Sequence, residues 1–193
     1  MEKKTKTVLF VCTGNTCRSS MAEVLAKDYL HRRKTEETSP GIEKESLAGR
    51  EDGEEIQIVS AGISAFLDTP ASPQAREVML ELGLDLSSHR AGFLTAELLE
   101  RADLILTMTR GQQEYIEEML SAAHNNEAYG KVYLLKEYAL GEESPKTKEE
   151  LGKPDILDPF GQSVEVYRAC AEELSRYIPQ ALERFAKEKI GQG

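Results

Sequence analysis

The residues best equipped for chemistry stand together near the start of the chain, in Cys12-Thr13-Gly14-Asn15-Thr16-Cys17-Arg18-Ser19. An apolar run, Val8 to Val11, leads in, and Met21-Ala22-Glu23 follows at helical spacing. A polar loop between a buried strand and a helix can turn successive backbone N–H groups inward to make an anion-binding nest. The helix N-terminus adds its partial positive charge to the same spot. Cys12 places a thiol at the mouth of that nest, where the anionic, nucleophilic form is favoured. Arg18, five intervening residues later, can hold two oxygens of a phosphoryl group in its planar fork. Ser19 can cap the helix and donate its hydroxyl to the sulfur. A cysteine after a strand is often only a small buried hydrophobe, and C-x5-R is short. Here the strand, the internal glycine, the helix and the adjacent hydroxyl together predict phosphoryl transfer through a phosphocysteine. Thr13 to Ser19 form the substrate cradle.

The remainder of the chain must position this loop. With 193 residues, 40% of them hydrophobic and 30% charged, one globular phosphatase domain spanning 1–193 is expected. A net charge of −10 argues against nucleic acid as a partner. No apolar run has membrane-spanning length, and Val8 to Cys12 is too short for a signal segment. Three cysteines make no disulfide framework, so a reducing cytoplasm is the expected location and a monomer the default. The three histidines have no metal-ligand spacing, and neither metal nor cofactor is expected.

Four apolar runs read as strands: Val8–Val11, Ile56–Val59, Asp103–Met108 and Val132–Leu135. Between them lie helical patterns. The first carries Met21, Val24, Leu25 and Tyr29 and ends near His31-Arg32-Arg33. The second starts at Ser72-Pro73, buries Ala75, Val78, Met79 and Leu82, and stops at Gly83. A short one opens at Thr95, and another runs from Gly111 to Leu120. A final stripe from Val164 to Phe185 contains Pro179, which predicts a kink, with Cys170 beside it in the core. Strand–helix alternation calls for a three-layer α/β/α fold with a central four-stranded parallel sheet. In such folds ligands sit beyond the carboxyl ends of the strands, where the Cys12 loop lies.

Two stretches break the pattern. Residues 35–55 hold eight acidic side chains against Lys44 and Arg50 and keep no apolar period, which predicts a solvated, mobile insertion. Residues 141–155 form a second charged loop. Ser60-Ala61-Gly62 reads as a turn of small residues that leaves room for a ligand or a neighbouring loop. His89 admits a catalytic reading, but a structural hydrogen bond fits it more readily. Displacement at phosphorus by Cys12 needs a proton donor opposite the sulfur. Asp158 in Asp158-Pro159-Phe160-Gly161 is the candidate, because Pro159 and Gly161 stiffen a turn that would turn the aspartate outward. An aspartate capping a helix that begins near Gln162 fits equally well.

Val11 to Ser19 with Met21-Ala22-Glu23, together with Asp158-Pro159-Phe160, resembles the low-molecular-weight protein tyrosine phosphatase family. Ser60-Ala61-Gly62, Ser88-His89 and Leu134 to Tyr138 are also similar to family stretches, so the likeness covers most of the chain outside the two charged loops. The resemblance implies Cys12 as nucleophile, Arg18 as phosphate ligand and Asp158 as general acid. Thr16, where tyrosine-specific members usually carry a bulky aliphatic residue, and Phe160 resemble the protein arginine phosphatase branch, which implies phosphoarginine-bearing proteins as substrates. Ser20 departs from the family by replacing a proline, which predicts a looser helix start. Cys17 can simply pack the loop, or it can form a reversible disulfide with Cys12 that switches activity off. Three alternatives stand beside this reading: a tyrosine phosphatase, an arsenate reductase of the same fold, and a non-catalytic phosphoresidue-binding module. An arsenate reductase needs further cysteines on a mobile segment, and after Gly62 there is only Cys170.

Overall fold

The computed structural model describes residues 5–37, 55–122, 130–141 and 154–188. Most of the acidic stretch 35–55 and of the loop 141–155 lies outside the described residues, as does His124. Four strands, β1 (Thr5–Cys12), β2 (Glu55–Gly62), β3 (Leu104–Thr107) and β4 (Val132–Leu134), pair in parallel in the order β2-β1-β3-β4. Among the described residues six helices accompany them: α1 (Arg18–Glu37), α2 (Pro73–Glu81), α3 (Ala96–Arg101), α4 (Arg110–Ala122), α5 (Leu135–Leu140) and α6 (Val164–Glu188).

β1 is central, and its alternate side chains serve two cores. Val8, Phe10 and Cys12 pack with Met21, Ala22, Val78, Met79, Leu174 and Leu182 on one face. Leu9 and Val11 pack with Leu94, Leu99, Ile105, Ile116 and Leu120 on the other. The three-layer arrangement is therefore as expected, and β1 delivers Cys12 at the carboxyl edge of its middle.

Several element boundaries differ from the sequence expectation for physical reasons. α1 continues to Glu37 rather than stopping at His31-Arg32-Arg33, with Asp28 and Arg32 paired at helical spacing along its exposed side. Ser60-Ala61-Gly62 is not a turn: it is the end of β2, in register with Phe10, Val11 and Cys12. Leu82 lies past the last turn of α2 and is half exposed, because Gly83 at φ +76° turns the chain away from the core. β3 starts at Leu104, since the Asp103 carboxylate accepts from the Thr7 backbone N–H and pairs with Lys6. α5 follows β4 directly, with no side-chain cap to announce it. The expected caps at Ser72 and Thr95 are present, accepting from the N–H groups of Ala75 and Leu98.

Candidate active site

The loop from Cys12 to Arg18 turns around Asn15, whose φ of +54° lies in the left-handed region that asparagine tolerates better than most residues. The turn brings the Asn15 N–H to 3.2 Å from Cys12 Sγ, while Ser19 Oγ lies 3.0 Å from the same sulfur. Ser19 Oγ accepts from Asn15 Nδ2 at 2.8 Å, which leaves its own hydrogen available to the sulfur. Asn15 Nδ2 also donates to Ser60 Oγ at 2.8 Å, and Ser60 donates to the Glu23 carboxylate at 2.5 Å. The donors of Ser60 and Asn15 are thereby fixed in direction, and the Ser19 hydrogen is shared between Cys12 Sγ at 3.0 Å and the Ala61 carbonyl at 3.4 Å.

Other contacts hold the loop from outside. Asn15 Oδ1 accepts from the Gly92 N–H at 2.9 Å, and the Asn15 carbonyl lies 2.7 Å from His89 Nε2. His89 thus has a structural partner on the loop. Gly62 packs against the loop backbone so closely that a Cβ there would stand 2.8 Å from the Thr13 carbonyl oxygen and 2.9 Å from Asn15 N. The room that the small residues of β2 leave is filled by the neighbouring loop. Ser20, fully buried, donates to the Cys17 carbonyl at 2.8 Å, so the hydroxyl ties the helix start rather than loosening it. Cys17 Sγ lies 3.2 Å from the Tyr167 hydroxyl and 3.5 Å from Ser72 Oγ. Burial, then the contact with Cys17, pushes the Tyr167 phenol up to about 12.

Arg18 is 3% exposed, and its Nε has no hydrogen-bond partner among the described residues. Its Nη2 meets Asp158 Oδ2 at 2.6 Å, and its Nη1 donates to the Ile156 carbonyl at 3.4 Å. The Asp158 side chain is 53% exposed. It does not cap α6, which starts six residues later at Val164, and its Oδ1 accepts from the Phe160 N–H. Asp158 is thus held onto Arg18 at the loop's mouth. Both line a cleft of about 810 Å³ together with Thr13, Gln112, Tyr115 and Ile156.

Gln112, Lys136 and Glu173 also line this cleft, and none of them was expected as a site residue. Gln112 Oε1 accepts from the N–H groups of Met108 and Thr109, which fixes its amide so that Nε2 donates to Thr13 Oγ1. No His/Cys/Asp/Glu cluster suited to a metal ion exists among the described residues. Cys170 is fully buried on α6, and burial pushes its thiol up to about 12.

A thiol contacted by a backbone N–H and a hydroxyl at the end of a central parallel strand, on one loop with a buried arginine that an exposed carboxylate meets, defines a cysteine-dependent phosphatase site. The chain belongs to the low molecular weight phosphotyrosine protein phosphatase family, whose model matches residues 7–57 and 47–190. It is 34% identical to a protein-arginine-phosphatase of Bacillus subtilis over 94% of this chain and 98% of that one. It is 33% identical to a probable low molecular weight protein-tyrosine-phosphatase EpsP of Ralstonia nicotianae, covering 90% and 91%. Among solved structures it is similar to the YwlE arginine phosphatase, in a cysteine-to-serine variant with a phosphorylated active-site serine. That match has a TM-score of 0.72 at 32% identity and covers 95% of this chain and 98% of the other.

Proposed function

We propose that this chain is a single-domain protein arginine phosphatase that hydrolyses phosphoarginine on proteins through a phosphocysteine at Cys12. The carrying observation is the loop itself: the Cys12 sulfur contacts the Asn15 N–H and the Ser19 hydroxyl, and the same loop brings Thr13 and a buried Arg18, whose Nε has no partner among the described residues, into one cleft with Asp158 held on that arginine. Cys12 thiolate attacks phosphorus, and the Thr13–Ser19 loop with Arg18 stabilises the charge on the equatorial oxygens. A phosphoryl oxygen satisfies Arg18 Nε and competes with Asp158 for the guanidinium, releasing the carboxyl to meet the leaving group. Asp158 protonates the leaving guanidino nitrogen and then activates the water that hydrolyses phosphocysteine. As a carboxylate it also pairs with an arginine side chain, which suits a phosphoarginine substrate.

The similarity to relatives named protein-arginine-phosphatase supports this specificity. The EpsP relative, almost as similar over nearly as much of the chain, supports the tyrosine phosphatase reading in second place. An arsenate reductase is disfavoured because Cys170, the one cysteine after Gly62, is fully buried in the helix α6 rather than carried on a mobile segment. Turnover of phosphoarginine, phosphotyrosine and phosphoserine peptides by the reduced protein separates the two readings. The proposal expects a large preference for phosphoarginine, and expects Thr16→Ile to raise aryl phosphate turnover. Preferential cleavage of phosphotyrosine would overturn the specificity and leave the mechanism standing.

Cys12 and Cys17 also form a redox pair in this proposal, in keeping with three free cysteines and a cytoplasmic setting. Peroxide oxidises Cys12 to the sulfenic acid and is itself reduced to water; Cys17 thiolate then attacks that sulfur and expels hydroxide, which takes up the proton the Cys17 thiol released and leaves as water. Peroxide-treated enzyme should recover fully with a thiol reductant. Irreversible loss at the first oxidation step would contradict the pairing.

A further inference from the structure

The three residues before Asp158 are held one after another by separate partners. Lys136 Nζ donates to the Asp155 carbonyl at 2.9 Å. The Ile156 N–H donates to the Met108 carbonyl at 2.8 Å, and the Ile156 side chain is buried. The Leu157 N–H donates to Glu173 Oε2 at 3.4 Å. Lys136 on α5 and Glu173 on α6 are themselves an ion pair, with the lysine 7% exposed. This pair grips the chain on both sides of Ile156 from the wall of the cleft that Arg18 and Asp158 also line. The Asp155 carboxylate adds a second anchor by accepting from the Arg110 N–H at the start of α4.

We infer that Lys136 and Glu173 are positioning residues for the general acid, an ion-pair clamp that sets where the Asp158 carboxyl stands relative to the leaving group. The inference rests on the proposed role of Asp158 as proton donor. A buried lysine with a carboxylate partner is not by itself evidence of stability, since desolvation offsets much of the attraction. What this pair does is geometric. Its two poles bind a backbone carbonyl and a backbone N–H two residues apart, so the segment leading to Asp158 is held at a set height beside Arg18. A proton transfer needs heavy atoms within hydrogen-bond reach, and a displacement on the order of 1 Å is enough to lose it.

The test uses the split between leaving groups. Protonation matters for a phosphoarginine peptide and matters little for an aryl phosphate whose phenolate leaves readily. Turnover of both substrates is measured for wild type, K136M, K136R, E173Q and D158N. The clamp predicts that K136M and E173Q lower kcat on phosphoarginine by about tenfold or more while the activated aryl phosphate loses only a few-fold. K136R should recover most of the loss, and the double variant K136M/E173Q should be no worse than the weaker single variant. Equal losses on both substrates, or no loss on either, would overturn the clamp. If K136M does not fold, E173Q, nearly isosteric with the wild type, carries the same comparison. D158N separates the two levels: a leaving-group split in D158N without one in E173Q sinks the clamp alone. Absence of a split in D158N itself sinks the general-acid role on which the clamp rests.

Discussion

The loop that carries Cys12 and the loop that carries Asp158 face each other across one cleft and are built in opposite ways. In the first, side chains do the fixing: Asn15, Ser19 and Arg18 are each 3% exposed or less, and the Asn15 amide holds Ser19 and Ser60 together beside the sulfur. In the second, the backbone is held at residues 155–157 while Leu157, Asp158 and Phe160 project outward, with Phe160 73% exposed. The difference follows from what each loop has to do. Charge developing on phosphoryl oxygens is best met by dipoles that need no reorganisation, whereas a proton donor must part from Arg18, serve the leaving group and then serve water.

Removing the nucleophile should have the largest effect. Cys12→Ser should cost about 10^4-fold or more in turnover with substrate binding retained, checked by steady-state rates and by binding of inorganic phosphate. Asp158→Asn comes next, at about 10^2- to 10^4-fold on phosphoarginine and much less on an activated aryl phosphate. If both loops responded equally to a change of leaving group, the contrast between them would collapse. Gly62→Ala tests the rigid side of the comparison from a distance. Its Cβ would press on backbone atoms of Thr13 and Asn15, so kcat should fall by about ten- to a hundredfold while the Asp158 loop is untouched.

The smallest effect concerns pH. Tyr167 and Cys170 are held neutral in the folded protein, both pushed up to about 12 from ordinary values of 10.0 and 9.0. The unfolded chain releases these protons first. Their contribution to stability is therefore complete below about pH 9 and is lost progressively as pH rises toward 12. Urea midpoints measured from pH 8 to 11 should fall less steeply for Cys170→Ala than for the wild type. Parallel slopes would show that the thiol ionises as readily in the fold as in the unfolded chain.

How far the site was legible follows the same division. The Cys12–Ser19 loop lies within eight consecutive residues, so the types alone point to anion binding beside a nucleophile. Asp158 pairs with Arg18 across 140 residues, and local turn chemistry fits a helix cap as well as an acid, so only the family resemblance distinguished them. Gln112 and Glu173 left no local trace, because a glutamine and a glutamate on helices read as ordinary solvated residues until the fold turns them inward. A lysine between Leu135 and Tyr138, both buried, was the one available hint. The sheet was readable from apolar runs, but its ends were not. Whether Ser60-Ala61-Gly62 turns or pairs depends on β1 lying alongside it, and α5 starts where β4 stops with no capping side chain between them.

The central claim is that phosphate passes through Cys12. The most direct test is a rapid acid quench of wild-type enzyme turning over a phosphoarginine peptide, followed by mass analysis of the peptide that contains Cys12. The mechanism predicts that this peptide gains one phosphoryl group early in turnover. Sustained phosphate release with no phosphoryl group on Cys12 at any time would contradict the covalent route.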